Sequence, residues 1–143
     1  MENCTLSGSI ISAPSDDWDE NTPSYCGGIV GGNKGTVSGC RFDGYLIGST
    51  AGGIVGSNSG AVLNCQNIVG RIDNGGVFVP KGSTGSTGGI IGLIPSGINY
   101  ADVVVTGNTF NIDATGQQWG IGQDSRLSTV GPSNNGAMPV PVP

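Results

Sequence analysis

The sequence predicts an all-β fold: a parallel β-helix, or β-solenoid, of about four rungs of three short strands, with insertions at its corners. Three observations carry that expectation. First, one phrase recurs almost unchanged, as Cys26-Gly-Gly-Ile-Val-Gly31, Ala51-Gly-Gly-Ile-Val-Gly56 and Thr87-Gly-Gly-Ile-Ile-Gly92. Second, the first two copies run in step: Gly27 to Gly52 and Cys40 to Cys65 are both 25 residues, and both copies read Gly-Gly-Ile-Val-Gly-x-Asn-x-Gly-x-Val-x-x-Cys. Third, the 143 residues include 28 glycines, with aromatic residues at 6 % and charged residues at 10 %, against roughly 25 % charged in ordinary domains. A conventional two-layer core is hard to fill from that stock. A narrow coil needs only a thin interior of Ile, Val and Cys.

Each element follows from the pattern. The chain opens inside a copy, because Cys4-Thr-Leu-Ser-Gly8-Ser-Ile10 aligns with Cys40-Arg-Phe-Asp-Gly44-Tyr-Leu46. Met1, directly before a half-finished repeat, reads as a cut within a longer protein. Short β-branched runs bounded by Gly and Asn mark strands at 28–31, 36–40 and 45–47, and again at 53–56, 61–65 and 69–72. Strands of successive rungs should stack about 4.8 Å apart. Asn33-Lys-Gly35 and Asn58-Ser-Gly60 mark the first corner, since Asn and Gly accept positive φ. Stacked Asn amides would bond along that column.

The expected core columns are Ile29/Ile54/Ile90, Val37/Val62 and Cys4/Cys40/Cys65, with Ile inward and its apolar neighbour outward. The third copy lengthens through 93–101 as an extended turn and sets Val103–Val105 where the cysteine stood. Gly120-Ile-Gly122 begins a worn fourth copy, with Trp119 as a candidate end cap. The repeat domain is therefore expected over 1–123. Residues 124–143, ending Pro-Val-Pro-Val-Pro, read as a Pro/Gly-rich tail or linker.

Charge excludes some partners. The net charge is −5, and four of the ten acidic side chains (Asp16, Asp17, Asp19 and Glu20) fall in one stretch, so the rest is nearly neutral. Lys34, Arg41, Arg71, Lys81 and Arg126 form no basic track, which argues against nucleic acid. No apolar run approaches the roughly 20 residues of a membrane span, so membrane insertion is not expected, and no secretory leader is visible.

The repeated pattern resembles the GLUG repeat, with Ile in place of the family's Leu at Gly28-Ile-Val-Gly31, Gly53-Ile-Val-Gly56 and Gly89-Ile-Ile-Gly92. The likeness covers roughly residues 4–112. It implies a right-handed parallel β-helix inside a larger bacterial cell-surface or secreted protein, as in adhesin-like proteins and some immunoglobulin A peptidases. It supplies no catalytic residue. Peptidase relatives keep their zinc-binding His motif in another domain, and this chain has no His. The remaining domains of the parent chain would be its nearest partners.

Four cysteines, Cys4, Cys26, Cys40 and Cys65, contain no C-x-x-C pair, so no metal is expected. Three of them fall in register and read as a ladder of free, buried thiols. The stretch Asp16-Asp-Trp-Asp-Glu20 admits a Ca²⁺ site, a sugar-stacking Trp18 or a merely solvated acidic insertion; the alternation of an EF-hand is missing. Insertions 13–24 and 73–87 leave the same corner two rungs apart, while 48–50 between them is tight. Asp16, Asp17, Trp18, Asp19, Tyr25, Phe78 and Lys81 are thus the candidate ligand-binding residues, on one surface roughly 10 Å wide.

The expected function is a spacer and display scaffold without catalysis or cofactor, with a host or microbial glycan or surface protein as partner. The competing class is a polysaccharide lyase or hydrolase on the same coil. That chemistry needs converging carboxylates, and Asp43, Asp73, Asp102 and Asp113 share no repeat register. An ice- or mineral-binding face would need an outward Thr or Asn column, of which Asn33/Asn58 is the only start.

Overall fold

The chain makes successive passes through the same four sheets. The computed structural model describes residues 1–11, 25–48, 50–68, 71–73, 86–111, 119–127 and 131–140. After β1 (Thr5–Ile11), the first pass holds β2 (Tyr25–Gly27), β3 (Val30–Asn33), β4 (Thr36–Ser38) and β5 (Arg41–Ile47). The second holds β6 (Thr50–Gly52), β7 (Val55–Asn58), β8 (Ala61–Leu63), β9 (Gln66–Asn67) and β10 (Arg71–Asp73). The third holds β11 (Ser86–Gly88), β12 (Ile91–Ile94), a 3-10 turn at Tyr100–Asp102, β13 (Val104–Thr106) and β14 (Asn108–Asn111). The last contributes β15 (Ile121–Asp124) and β16 (Ala137–Val140).

All strand pairs among the described residues are parallel, beside one isolated antiparallel bridge from Ile121 to Ser133. The first sheet runs β2–β6–β11, the second β3–β7–β12–β15, the third β4–β8–β13, and the fourth β1–β5–β9–β14–β16 with β10 also on β5. Equivalent residues of the copies pair directly: Val30 with Val55, Val37 with Val62, and Gly27 with Gly52. The architecture is all-β with parallel sheets, and this order is compatible with the expected coil. Among the described residues, no helix is long and apolar enough to cross a membrane.

Each full pass crosses four sheets where three strands are expected, and in the second pass the fourth sheet receives two short strands, β9 and β10. The run Gly28–Gly31 is not one strand, because the chain bends at its start. The N–H groups of Ile29 and Val30 both donate to the Ile54 carbonyl at 3.0 Å, and Ile54 and Val55 share the Ile90 carbonyl in the same way. Two consecutive donors on one acceptor break the period-2 alternation. The expected division into an inward Ile and an outward neighbour fails for that reason: Ile54, Val55, Ile90 and Ile91 are all fully buried. Ile29 is only half-buried, since β3 is the edge strand of its sheet among the described residues.

Close approach explains the glycines of the repeated phrase. A Cβ on Gly52 would collide with the Val55 carbonyl oxygen, would lie 2.5 Å from the Gly92 nitrogen and would lie 2.8 Å from the Ile90 oxygen. The first and second sheets therefore meet backbone to backbone. The second glycine makes room for a side chain of the fourth sheet: a Cβ on Gly28 would sit 2.5 Å from the Phe42 ring, and Gly89 faces Phe110 in the same way.

The corner between the second and third sheets is built differently from expectation. Asn33 and Asn58 are not among the positive-φ residues. They are buried, and the Asn33 amide donates to Asn58 Oδ1 at 2.8 Å while Asn58 Nδ2 donates to the Gly60 oxygen at 2.9 Å. Oδ1 of each accepts the N–H of Gly35 or Gly60, at 3.1 and 3.2 Å. This column points inward, so it offers no start to an ice-binding face. Left-handed backbone falls one corner later, where Asn3, Gly39, Asn64, Gly107 and Gly136 all have φ between +53° and +88°. Asn and Gly are the residues that accept this conformation.

The end of the chain also differs from expectation. Ala137–Val140 pairs in parallel with β14, Ala137 is fully buried, and Ser133 bridges Ile121. The segment read as a tail thus adds a strand to the fourth sheet, because Ala137 continues the apolar lining while Pro139 sits on the outermost strand, where a missing N–H costs little. Trp119 does not act as a buried cap: its side chain is 44 % exposed, and its carbonyl accepts the Gly89 N–H at 2.8 Å.

Candidate functional site

The corner joining the fourth sheet to the first receives both long insertions. Ile11 and Asp73 pair with Ile47 from opposite sides, and Tyr25 and Ser86 flank Thr50 likewise. Both insertions therefore leave and return two strands apart, roughly 10 Å at the usual spacing. Tyr25 stands at this corner with 45 % of its surface exposed. Asp16, Asp17, Trp18, Asp19, Phe78 and Lys81 lie outside the described residues.

Beside the corner lies the outer face of the fourth sheet. Phe42 and Phe110 point inward and are buried, so Arg41, Gln66 and Thr109 face out. A shallow groove of about 140 Å³ opens on this sheet, lined by Gln66, Ile68, Thr109, Asn111 and Val140 over Asn67 and Phe110. Its amides, hydroxyl and aliphatic groups suit hydrogen bonding and packing, not proton transfer. Asp43 and Asp73 both belong to this sheet, but Asp73 pairs with Ile47, four positions along the strand from Asp43. That is roughly 13 Å of strand. Asp102 lies in the turn before the third sheet.

The thiols form a column with an amide at its end. Arg41 donates to the Cys4 carbonyl, Gln66 to that of Cys40 and Thr109 to that of Cys65, which sets Cys4, Cys40, Cys65 and Asn108 in one file. Cys40 and Cys65 are buried, while Cys4 at the end of the file is half-buried, a departure from a fully buried ladder. Val103–Val105 does not occupy the cysteine position; Val105 pairs with Val62, and Asn108 stands there. The signal was present in the spacing of Val37-Ser-Gly39-Cys40, Val62-Leu-Asn64-Cys65 and Val105-Thr-Gly107-Asn108. The lengthened turn before it hid the alignment.

Asn108 does the thiol's work. The Cys65 thiol reaches the Val37 carbonyl at 3.8 Å, and Asn108 Nδ2 donates to the equivalent Val62 carbonyl at 2.9 Å. Cys40 Sγ accepts the Cys4 N–H at 3.4 Å, and Asn108 Oδ1 accepts that of Cys65 at 2.9 Å. Each residue satisfies one donor and one acceptor that the left-handed corner takes out of the sheet ladder. Asn108→Ala should therefore cost about 1–3 kcal/mol, and Asn108→Cys clearly less, as measured by urea unfolding. Equal losses would refute the equivalence.

Burial pushes the Cys65 thiol up, and the neighbouring Cys40 adds to the rise against opposing backbone hydrogen bonds. Such a thiol is a poor nucleophile, and the chain has no His to activate it. Among the described residues, no group of three or more His, Cys, Asp or Glu is placed to hold a metal ion.

One ion pair has its carboxylate fully buried and its guanidinium only partly so. Asp124 pairs with Ile94, which continues the Asn33/Asn58 file. Its carboxylate accepts from Arg126 Nε and Nη2 at 2.9 Å and from Ser133 Oγ at 2.6 Å, with its side chain fully buried. Burial alone would raise this carboxyl, but the hydrogen bonds from Arg126 and Ser133, with the Arg126 charge, outweigh it and hold it below its ordinary value. The groups close the last pass and are engaged with one another. Compared with known proteins, the chain matches no family model, no curated protein and no solved structure.

Proposed function

We propose that this chain is a parallel β-helix of the GLUG-repeat kind, forming a non-catalytic part of a larger bacterial cell-surface or secreted protein. It spaces and displays, and it adheres to a glycan or surface protein through the loops at the corner between the fourth and first sheets. One observation carries this reading: each copy supplies its strands to the same parallel sheets in the same order, while the long insertions share one corner. Repeat arrays with insertions on one face commonly bind there. The outward amides and hydroxyl of the neighbouring groove extend the surface.

A glycan array should show the wild-type chain binding a saccharide class that the Trp18→Ala/Phe78→Ala double variant loses. Binding by neither would leave a passive spacer. Cleavage of a bound oligosaccharide would overturn the non-catalytic reading.

A further inference from the structure

We infer that Cys4 and Cys40 are a redox-modifiable pair that ties the first strand to the first full pass by a disulfide under oxidising conditions. The display reading is not needed for it. The two residues are neighbours in the cysteine file, since the Arg41 N–H donates to the Cys4 carbonyl at 2.8 Å. Adjacent parallel strands bring Cα atoms about 4.8 Å apart, inside the roughly 4.4–6.8 Å that a disulfide spans. Cys40 Sγ already leans onto Cys4, 3.4 Å from its nitrogen. Cys65 leans the same way toward the first pass, with its sulfur 3.8 Å from the Val37 carbonyl.

The ends of the file differ in access. Cys4 is half-buried, whereas Cys26, Cys40 and Cys65 are buried. Cys4 is therefore the thiol that meets a reagent first. Its own sulfur lies 3.5 Å from the Glu2 carbonyl on an exposed contact, so the disulfide requires it to rotate about χ1 toward Cys40.

The co-reactant is a small-molecule disulfide such as oxidised glutathione. The Cys4 thiolate attacks one glutathione sulfur, forming a mixed disulfide and expelling a glutathione thiolate. The Cys40 thiolate then attacks the Cys4 sulfur, forming the protein disulfide and expelling the second glutathione. Two protein thiols are oxidised, one glutathione disulfide is reduced to two thiols, and these take up the two protons. Cys65 and Cys26 remain reduced.

The test treats the folded, reduced chain with oxidised glutathione and counts thiols. The count should fall from four to two, peptide mapping after alkylation should join Cys4 to Cys40, and the urea midpoint should rise until reductant is added. Cys65→Ser should behave as wild type, while Cys4→Ser should keep its remaining thiols unreacted. The wild-type map decides the matter even where a variant folds poorly. A Cys40–Cys65 link, a stable glutathione adduct on Cys4 alone, or four unreacted thiols would each overturn the inference.

Discussion

Gly52→Ala should be among the most damaging single substitutions in this chain, at a cost of about 4 kcal/mol or more. The added methyl would collide with the Val55 carbonyl and press within 2.5 Å of the Gly92 nitrogen and 2.8 Å of the Ile90 oxygen. These are backbone atoms in two successive passes. No rotamer change relieves the clash, so the first and second sheets must part and the kinked hydrogen bonds at Ile54 and Val55 go with them. Overpacking in a core that can shift costs less, about 1–3 kcal/mol. Gly35→Ala is the control: nothing lies within 4 Å of its Cβ and its φ is not positive. It should stay within about 0.5 kcal/mol of wild type. Urea unfolding of the two variants side by side checks both values, and comparable losses would refute the backbone-contact argument.

Arg126→Ala should cost about 3–5 kcal/mol at neutral pH, because it strands the buried Asp124 carboxylate. Only the Ser133 hydroxyl and the residue 126 N–H would remain to hold it. The pH dependence has opposite signs in the two proteins. In wild type the folded carboxyl is depressed, so its stabilisation is complete above the unfolded value of about 3.9 and is lost as pH falls through the lower folded value. In the variant, burial prevails and the carboxyl rises above its unfolded value. The deficit should then shrink as pH falls through that raised value. Stability measured between neutral pH and pH 4 distinguishes the cases, and a pH-independent deficit would mean that Arg126 acts through packing alone.

Much of the architecture was legible because the repeat is written twice. Val37 and Val62, Cys40 and Cys65, and Asn33 and Asn58 share positions in their copies, and a fixed period leaves little freedom but to pair equivalent strands. The reading weakened where a copy changed length. Nine residues between β12 and β13 moved the cysteine position to Asn108, and the apparent tail hid a strand. Asn67 replaces Phe42 in a file that resumes at Phe110, and it donates to the Gly89 carbonyl at 2.9 Å. No periodicity announces a buried amide among aromatic rings. For the candidate site, the shared corner of the two insertions followed from repeat arithmetic, whereas the groove beside it depends on β9, β14 and β16 lying side by side.

The sequence by itself determined the all-β class, the stacking period and the residues that pair across copies, because identical segments present identical donors, acceptors and side chains at each level. Only the tertiary structure decided that a pass crosses four sheets, that both apolar residues after the paired glycines are buried in the second and third copies, and that Asn108 and Asp124 stand in files begun by Cys4 and Asn33. Those outcomes depend on where the backbone bends and which carbonyls it leaves unpaired. Contacts between passes set both, and a single pass read along the chain does not contain them.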